Sequence, residues 1–247
     1  MHNLGITHIL NLLFGSLIGS IMQAVGLHPS RPNAPIGDVF SLELVVVGGL
    51  ILFFLIVRMT LSVERPNPAQ QLTEMIHEFT GDLGEQVIGH GYERFQAFAT
   101  CVFLFVLLNN LLGLLIGVIP GMTTPTSQPY VPLGIAVLTF AYYNFHGFRV
   151  QGPVGYIKHF MGPLPALAPL MFPIEIVSHL ARMMSLTIRL YANMFASDLL
   201  TLVWFSLIPL AIPAVFLGLH ALVSVIQAFV FMLLTMIYLS MAVTKEH

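Results

Sequence analysis

Long apolar runs, separated by breaks rich in proline and glycine, dominate the pattern of this chain. A membrane-spanning helix needs about 20 apolar residues. Five runs are close to that length or longer: residues 39–61, 95–119, 131–148, 166–206 and 214–243. Hydrocarbon accepts only helices and closed barrels, because these satisfy their own backbone polar groups. The pattern therefore predicts an all-α integral membrane protein with about five transmembrane helices.

Residues 66–91 have an amphipathic pattern instead. Apolar side chains recur there at helical spacing. Acidic residues stand between them: Glu74, Glu78, Asp82 and Glu85. We predict a helix on the cytoplasmic surface, and its acidic face excludes attraction to anionic lipid as the force that holds it there. The acids either meet a partner protein or are solvated.

The N-terminal segment is less apolar than the five runs. A loose polar stripe that includes Thr7, Asn11 and Gln23 runs through residues 5–26. This stripe favours an interfacial helix over a sixth span. We therefore divide the chain into an extracytoplasmic or interfacial segment, residues 1–37, and a single membrane domain, residues 38–247.

Composition supports a membrane protein and excludes several other classes. Hydrophobic residues make up 57% of the chain and charged residues 8%, too few charges to cover a soluble domain of this size. The net charge of −2 gives no reason to expect a nucleic-acid partner. The single cysteine, Cys101, excludes an intrachain disulfide and a cysteine-based metal cluster. The histidines and glutamates do not have the spacing of a metal site, and nothing indicates a cofactor.

The distribution of lysine and arginine predicts the orientation of the chain. If the spans alternate, one side of the membrane receives only Arg31 from the loops. The other side receives Arg58, Arg65, Arg94, Arg149, Lys158 and Lys245. We therefore place the N-terminus outside and the C-terminus in the cytoplasm.

The fourth span carries ionisable residues where hydrocarbon makes them unfavourable. Glu175, Arg182 and Arg189 are seven residues apart, so they share one helix face. Arg189 lies deep in apolar sequence, which indicates a function. Small or polar residues lie on or beside the same face and would let another helix approach closely: Ser178, Ser185, Asn193 and Ala196. Asp198 points to the opposite face, toward the rest of the protein.

The last two spans are longer than a bilayer requires. A helix over residues 166–206 would be about 60 Å long, whereas the hydrocarbon core is about 30 Å thick. Either these helices break, or they form a steeply inclined hairpin about Pro209 and Pro213. An inclined hairpin would open wedges to water on both sides of the membrane.

The fifth span has His220, Ser224 and Gln227 on one face. A histidine there is either a neutral hydrogen-bonded group between helices or part of a proton relay. Imidazole suits a relay because its unperturbed pKa lies near neutrality.

Two segments resemble the signature helices of the a-subunit family of bacterial F-type ATP synthases. They are SLTIRLYANMFASDLL (Ser185–Leu200) and IQAFVFMLLTMIYLSMA (Ile226–Ala242). The resemblance extends from about Val39 to His247, whereas residues 1–37 resemble little. It implies one span, a surface helix, a short hairpin and two long inclined helices. The implied partners are a ring of c subunits, the b-subunit peripheral stalk and lipid, in a bacterial inner membrane.

The resemblance also implies roles for individual residues in proton translocation. Arg189 matches the essential arginine that faces the carboxylate of the c ring. Glu175 and Ser178 match the cytoplasmic half-channel, and Arg182 and Ser185 match polar positions nearby. The half-channel from the opposite side is matched by Asn193, Asp198, His220 and Gln227. The family often has glutamate where this chain has Asp198, which alters the geometry of that path.

Two other classes of membrane protein fit the sequence less well. An ion-coupled secondary transporter favours inverted repeats and helices interrupted by glycine or proline. The sequence has no such repeat, and most of its prolines lie between the spans. A purely structural anchor would leave Arg189 and Asp198 unexplained.

The predicted orientation can be tested with a reporter fused after His247. A reporter that is active only in the cytoplasm should be active, because the basic loops stay on that side. A second reporter, active only after export, should be silent at the same position. Export of the fusion would reverse the topology and exchange the two half-channel assignments.

Overall fold

The computed structural model describes residues 5–24, 36–62, 65–116, 124–161, 168–207 and 211–243. These residues form helices joined by turns, with a short 3₁₀ turn at Pro125–Ser127 and no strand in the described ranges. The helices are α1 (Gly5–Ala24), α2 (Asp38–Met59), α3 (Pro68–Ile88), α4 (Glu93–Ile116), α5 (Tyr130–Met161), α6 (Ala168–Leu207) and α7 (Ala211–Val243). The prediction of an all-α membrane protein is confirmed.

Four helices are long and apolar enough to cross a bilayer. They cover residues 38–59, 93–115, 169–207 and 214–243, close to four of the predicted spans. The remaining predicted span, 131–148, lies within α5, where paired tyrosines, Asn144 and His146 lower the mean hydropathy. Its crossing therefore stays a prediction. The apolar part of α1, Thr7–Ser20, is shorter than a span, and its interfacial position also stays a prediction.

The chain divides into two compact units, residues 1–59 and 60–247. In the first unit, the polar stripe of α1 contacts the start of α2. Thr7 Oγ1 donates to Asp38 Oδ1 at 2.7 Å, and Asn11 exchanges hydrogen bonds with the backbone of Ile36 at 3.0 Å each way. The stripe is thus used for packing within this unit. The predicted division at residue 37 stays a prediction.

Helix α7 is the centre of the second unit. It packs against α3, α4, α5 and α6, and its contact with α4 is the most extensive. One stripe of its surface is fully buried and consists of Ala228, Phe231, Met232, Met236 and Leu239. These positions recur at helical spacing. Because this stripe is packed inside the unit, Ser224 of the same helix lies next to α4 and Gln227 lies next to α6.

Helix α3 is the predicted surface helix, with bounds slightly inside the predicted 66–91. Pro68 opens it, because a proline at the first helical position lacks only a donor that would be unpaired anyway. It ends at Ile88, before Gly89, whose φ of 78° lies in the region that favours glycine. The helix is confirmed, whereas its position on the cytoplasmic surface stays a prediction.

Helices α6 and α7 form the long final pair. Helix α6 runs unbroken for 40 residues and continues through Pro173, which gives a length of about 60 Å. An unbroken helix of this length fits a hydrocarbon layer about 30 Å thick when it is steeply inclined. The structure therefore contradicts a break within α6, whereas the inclination of the pair stays a prediction.

The packing of α3 against α4 depends on a buried polar network. Gln96 Nε2 donates to the carbonyl oxygen of His77 at 2.6 Å and lies 3.4 Å from Thr80 Oγ1. Thr100 Oγ1 donates to Thr80 Oγ1 at 2.9 Å. Gln96 and Thr80 are both buried, so these bonds join the two helices away from solvent.

Replacement of Gln96 should weaken this contact. Gln96→Leu removes the donor of the hydrogen bonds that join the two helices, and a hydrogen bond of this kind contributes about 0.5–1.5 kcal/mol. We expect a lower thermal unfolding midpoint of the purified protein. Gln86→Leu, at an exposed position of α3, is the control and should change stability by less than about 0.5 kcal/mol. Equal midpoints for the two variants would contradict a stabilising role of the network.

Candidate functional site

Arg189 lies on the exposed side of α6. The opposite side of the helix is in the core, where Leu186, Leu190 and Met194 are buried. The residues around Arg189 on its own side are exposed and mostly small or polar: Ser185, Ala192, Asn193 and Ala196. Among the described residues, Arg189 makes no ion pair. The side chain therefore presents an unneutralised cation on a face that another helix can approach closely.

Glu175 and Arg182 lie together toward the start of α6. Arg182 Nη2 is 3.7 Å from Glu175 Oε1, so the predicted seven-residue spacing places both on one face. The guanidinium of Arg182 also lies over the ring of Tyr238, 5.7 Å from its centroid, a cation–π geometry. Arg182 is thus held by an anion and an aromatic ring, in contrast to Arg189. Ser178, on the same helix, is half-buried.

His179 adds an imidazole to this cluster. Its Nε2 is 3.4 Å from Glu175 Oε1, and its Nδ1 is 2.7 Å from the hydroxyl of Tyr143 on α5. A spacing of four residues from Glu175 is the sequence signal that could have indicated the contact. Nothing local to the sequence indicates Tyr143, because α5 meets α6 only in the folded protein.

Asn193 and Gln227 join α6 to α7 about one helical turn beyond Arg189. Asn193 Nδ2 donates to Gln227 Oε1 at 2.9 Å. Gln227 is 4% exposed, whereas Asn193 is exposed. The pair therefore reaches from the Arg189 face into the interior of the protein.

Asp198 leads away from the Arg189 face, as predicted from its position on the helix. Its two carboxylate oxygens accept hydrogen bonds from Thr124, one from the hydroxyl at 2.8 Å and one from the backbone N–H at 3.4 Å. His220 on α7 is buried and lies close enough to Asp198 for an electrostatic interaction. Asp198 and His220 therefore belong to one polar region between α6 and α7.

A line of buried polar groups continues from His220 along α7 toward α4. Asn110 Nδ2 lies 3.5 Å from the carbonyl oxygen of Ser224. Within the described part of the chain, three atoms of this line have no hydrogen-bond partner: His220 Nε2, Ser224 Oγ and Asn110 Oδ1. Buried polar atoms are normally satisfied by protein or by water. Asn110 was missed at the sequence level, although an asparagine pair in the middle of an apolar span is an unusual signal.

The chain is similar to proteins of a known family. The family described as ATP synthase A chain matches residues 40–240. The chain belongs to this family. The ATP synthase subunit a of Koribacter versatilis (strain Ellin345) is 44% identical over 246 residues, which are 100% of this chain and 99% of that protein. The ATP synthase subunit a of Solibacter usitatus (strain Ellin6076) is 44% identical over 232 residues, 94% of this chain and 98% of that protein.

Family membership confirms the resemblance found in the last two helices, and every candidate residue from Glu175 to Gln227 lies in the matched region. The expectation that residues 1–37 resemble little holds for the family match, which begins at residue 40. It is wrong for the protein of Koribacter versatilis, whose similarity covers the whole chain.

Water access to the second cluster can be tested with single cysteines. In a Cys101→Ser background, cysteines at 198, 220 and 227 should react with a hydrophilic thiol reagent, because unpaired buried polar groups attract water. Met236→Cys, in the fully buried apolar stripe of α7, is the matched control and should stay unreactive. Inertness of all three test positions in the assembled protein would favour a purely structural cluster.

Proposed function

We propose that this chain is the proton-translocating subunit a of a rotary F-type ATP synthase. In this proposal it is a non-catalytic membrane subunit in a bacterial inner membrane, with the N-terminus outside and the C-terminus in the cytoplasm. Its partners are a ring of c subunits, the b-subunit peripheral stalk and the rest of the complex. Membership of the ATP synthase A chain family supports this assignment, as do the relatives named ATP synthase subunit a.

The observation that supports the mechanism best is the position of Arg189. It is an exposed cation on α6 with a polar cluster on each side of it along the helix. Glu175 lies 14 residues before it, about 21 Å along the axis, and Asp198 nine residues after it, about 14 Å. We therefore assign the two clusters to two half-channels that do not meet within this chain.

The outer half-channel consists of Asn193, Asp198, His220 and Gln227. A proton from outside passes along this path and neutralises a carboxylate of the c ring. The neutral carboxyl can then enter lipid, because a neutral group is much cheaper to bury than an ion. The direct contact between Asn193 and Gln227 supports a path that ends at the Arg189 face.

The inner half-channel consists of Glu175 and Ser178, with Arg182 and Ser185 nearby. After nearly a full turn of the ring, the carboxyl comes beside Arg189. The nearby cation favours the ionised form of the carboxyl, so its proton leaves toward Glu175 and the cytoplasm. The contact between Glu175 and Arg182 keeps this acidic group among the protein's own polar residues.

Arginine suits this role better than lysine. The guanidinium keeps its charge in proteins, whereas a lysine can lose its proton in a low dielectric. A permanent cation also repels hydronium, so protons cannot pass directly from one half-channel to the other. Proton flow is thereby coupled to rotation of the ring.

The proposal is tested by substitutions of Arg189. Arg189→Ala should abolish proton-driven ATP synthesis in reconstituted vesicles and let protons leak passively, because the fixed charge between the half-channels is gone. Arg189→Lys should also abolish proton-driven ATP synthesis, because a lysine can lose its proton and with it its positive charge. Assembly of the complex, measured by co-purification of its subunits, should remain normal for both variants.

Arg182→Ala is the matched control. It removes the same side chain from the same helix, about two turns closer to Glu175, and should retain most of the ATP synthesis rate. Near-normal synthesis by Arg189→Ala in an assembled complex would contradict the mechanism. Loss of ATP synthesis in Arg182→Ala but not in Arg189→Ala would assign the coupling role to Arg182 and would also contradict the mechanism.

A further inference from the structure

Thr124 holds both oxygens of the Asp198 carboxylate. Its hydroxyl donates to Oδ1 at 2.8 Å and its backbone N–H to Oδ2 at 3.4 Å. The two residues are 74 positions apart in the sequence, and Thr124 is fully buried. Two donors on two oxygens fix the rotation of a carboxylate as well as its position, whereas a single donor would leave it free to turn.

Thr124 is itself held in place by the turn that follows it. Its carbonyl oxygen accepts from the backbone N–H of Ser127 at 3.1 Å and from the Ser127 hydroxyl at 2.7 Å. Pro125 begins the 3₁₀ turn, and its ring restricts φ. The backbone donor therefore belongs to a closed turn, and the hydroxyl donor stands on the short, β-branched side chain of the same residue.

Gly113 of α4 lets this turn come close enough to the helix. A Cβ atom at Gly113 would lie 2.6 Å from Thr124 Oγ1 and 2.7 Å from Thr124 Cβ, well inside the contact distance of about 3.5–4.0 Å. Threonine is branched at Cβ and cannot easily turn away. A side chain at position 113 would therefore displace the Thr124 hydroxyl, from which Asp198 accepts a hydrogen bond.

We propose that Thr124 is a positioning residue for Asp198. The lack of a side chain at Gly113 leaves the space, here called the clearance, that Thr124 needs to contact Asp198. The pair holds the carboxylate in the outer half-channel. This inference rests on the proposed function, in which Asp198 takes part in proton transfer. Proton transfer is sensitive to such placement, because a shift of about 1 Å can lower a rate by about 100-fold.

The first test changes the hydroxyl alone. Thr124→Val keeps the shape of the side chain and removes its donor, and we expect proton-driven ATP synthesis in reconstituted vesicles to fall about tenfold or more. Thr124→Ser restores the donor and should bring the rate back to within about twofold of the parent. Rescue by serine separates positioning from packing, because serine packs less well than valine.

Thr126→Val is the matched control for this change. Thr126 lies in the same turn and is fully buried, but its hydroxyl has no hydrogen-bond partner among the described residues. The same substitution there should leave the rate within about twofold of the parent. Equal losses for Thr124→Val and Thr126→Val would overturn the proposal and indicate a general packing effect.

The second test fills the clearance. Gly113→Ala should reproduce the loss seen in Thr124→Val, because the added methyl group displaces the same hydroxyl. Gly134→Ala on α5, where a Cβ would meet nothing within 4 Å, is the control and should leave the rate of ATP synthesis unchanged. If the Thr124→Val variant does not assemble into the complex, the Gly113→Ala variant alone tests the inference. A parental rate of ATP synthesis in Gly113→Ala would then overturn the role of the clearance.

Asp198→Asn distinguishes failure of this inference from failure of the proposed function. Normal synthesis by Asp198→Asn would contradict the proposed function of Asp198, and the positioning role with it. A strong loss in Asp198→Asn together with a parental rate in Thr124→Val would overturn the positioning role alone. If both are impaired, the double variant Thr124→Val/Asp198→Asn should be no worse than Asp198→Asn, because the two residues act as one unit. An additional, multiplicative loss in the double variant would overturn the inference.

Discussion

Hydrocarbon offers no hydrogen bonds, so a polar group within the membrane must find its partner in the protein or in water that the protein admits. This constraint explains why the polar residues of the last two helices occur in clusters. Asn193 is paired with Gln227, and Asp198 is paired with Thr124. Among the described residues, His220 Nε2 and Ser224 Oγ lack a hydrogen-bond partner. Both lie on α7, the helix that carries Gln227, and water admitted by the protein would satisfy them.

The same constraint separates the two arginines of α6. Arg182 has an anionic partner and an aromatic ring, in Glu175 and Tyr238. Arg189, two turns further on, has neither among the described residues and lies among small exposed side chains. A charge kept without a partner in its own chain has no stabilising role that offsets its desolvation. The proposed function accounts for this arrangement, because in that proposal Arg189 meets a carboxylate of the c ring.

Most of the architecture could be predicted from local pattern. The long apolar helices, the amphipathic α3 and the unequal faces of α6 follow from hydrophobic periodicity, because a helix places residues three, four and seven apart on one face. The status of α5 was less predictable, because the polar residues of the segment lower its mean hydropathy. The contacts of α1 with Asp38 and Ile36 were not predicted, because a polar stripe suits an interface with lipid headgroups as well as packing within the protein.

The sequence alone determined the class of protein, the long final helices and the candidate residues on α6 and α7, because these depend on composition and on spacing within one helix. Only the tertiary structure decided which of these residues have partners on other elements. It paired His179 with Tyr143 and Asp198 with Thr124, and it placed Gly113 against Thr124. Such contacts join residues that are far apart in the chain. Their distances depend on how the helices pack, which the periodicity of one helix does not encode.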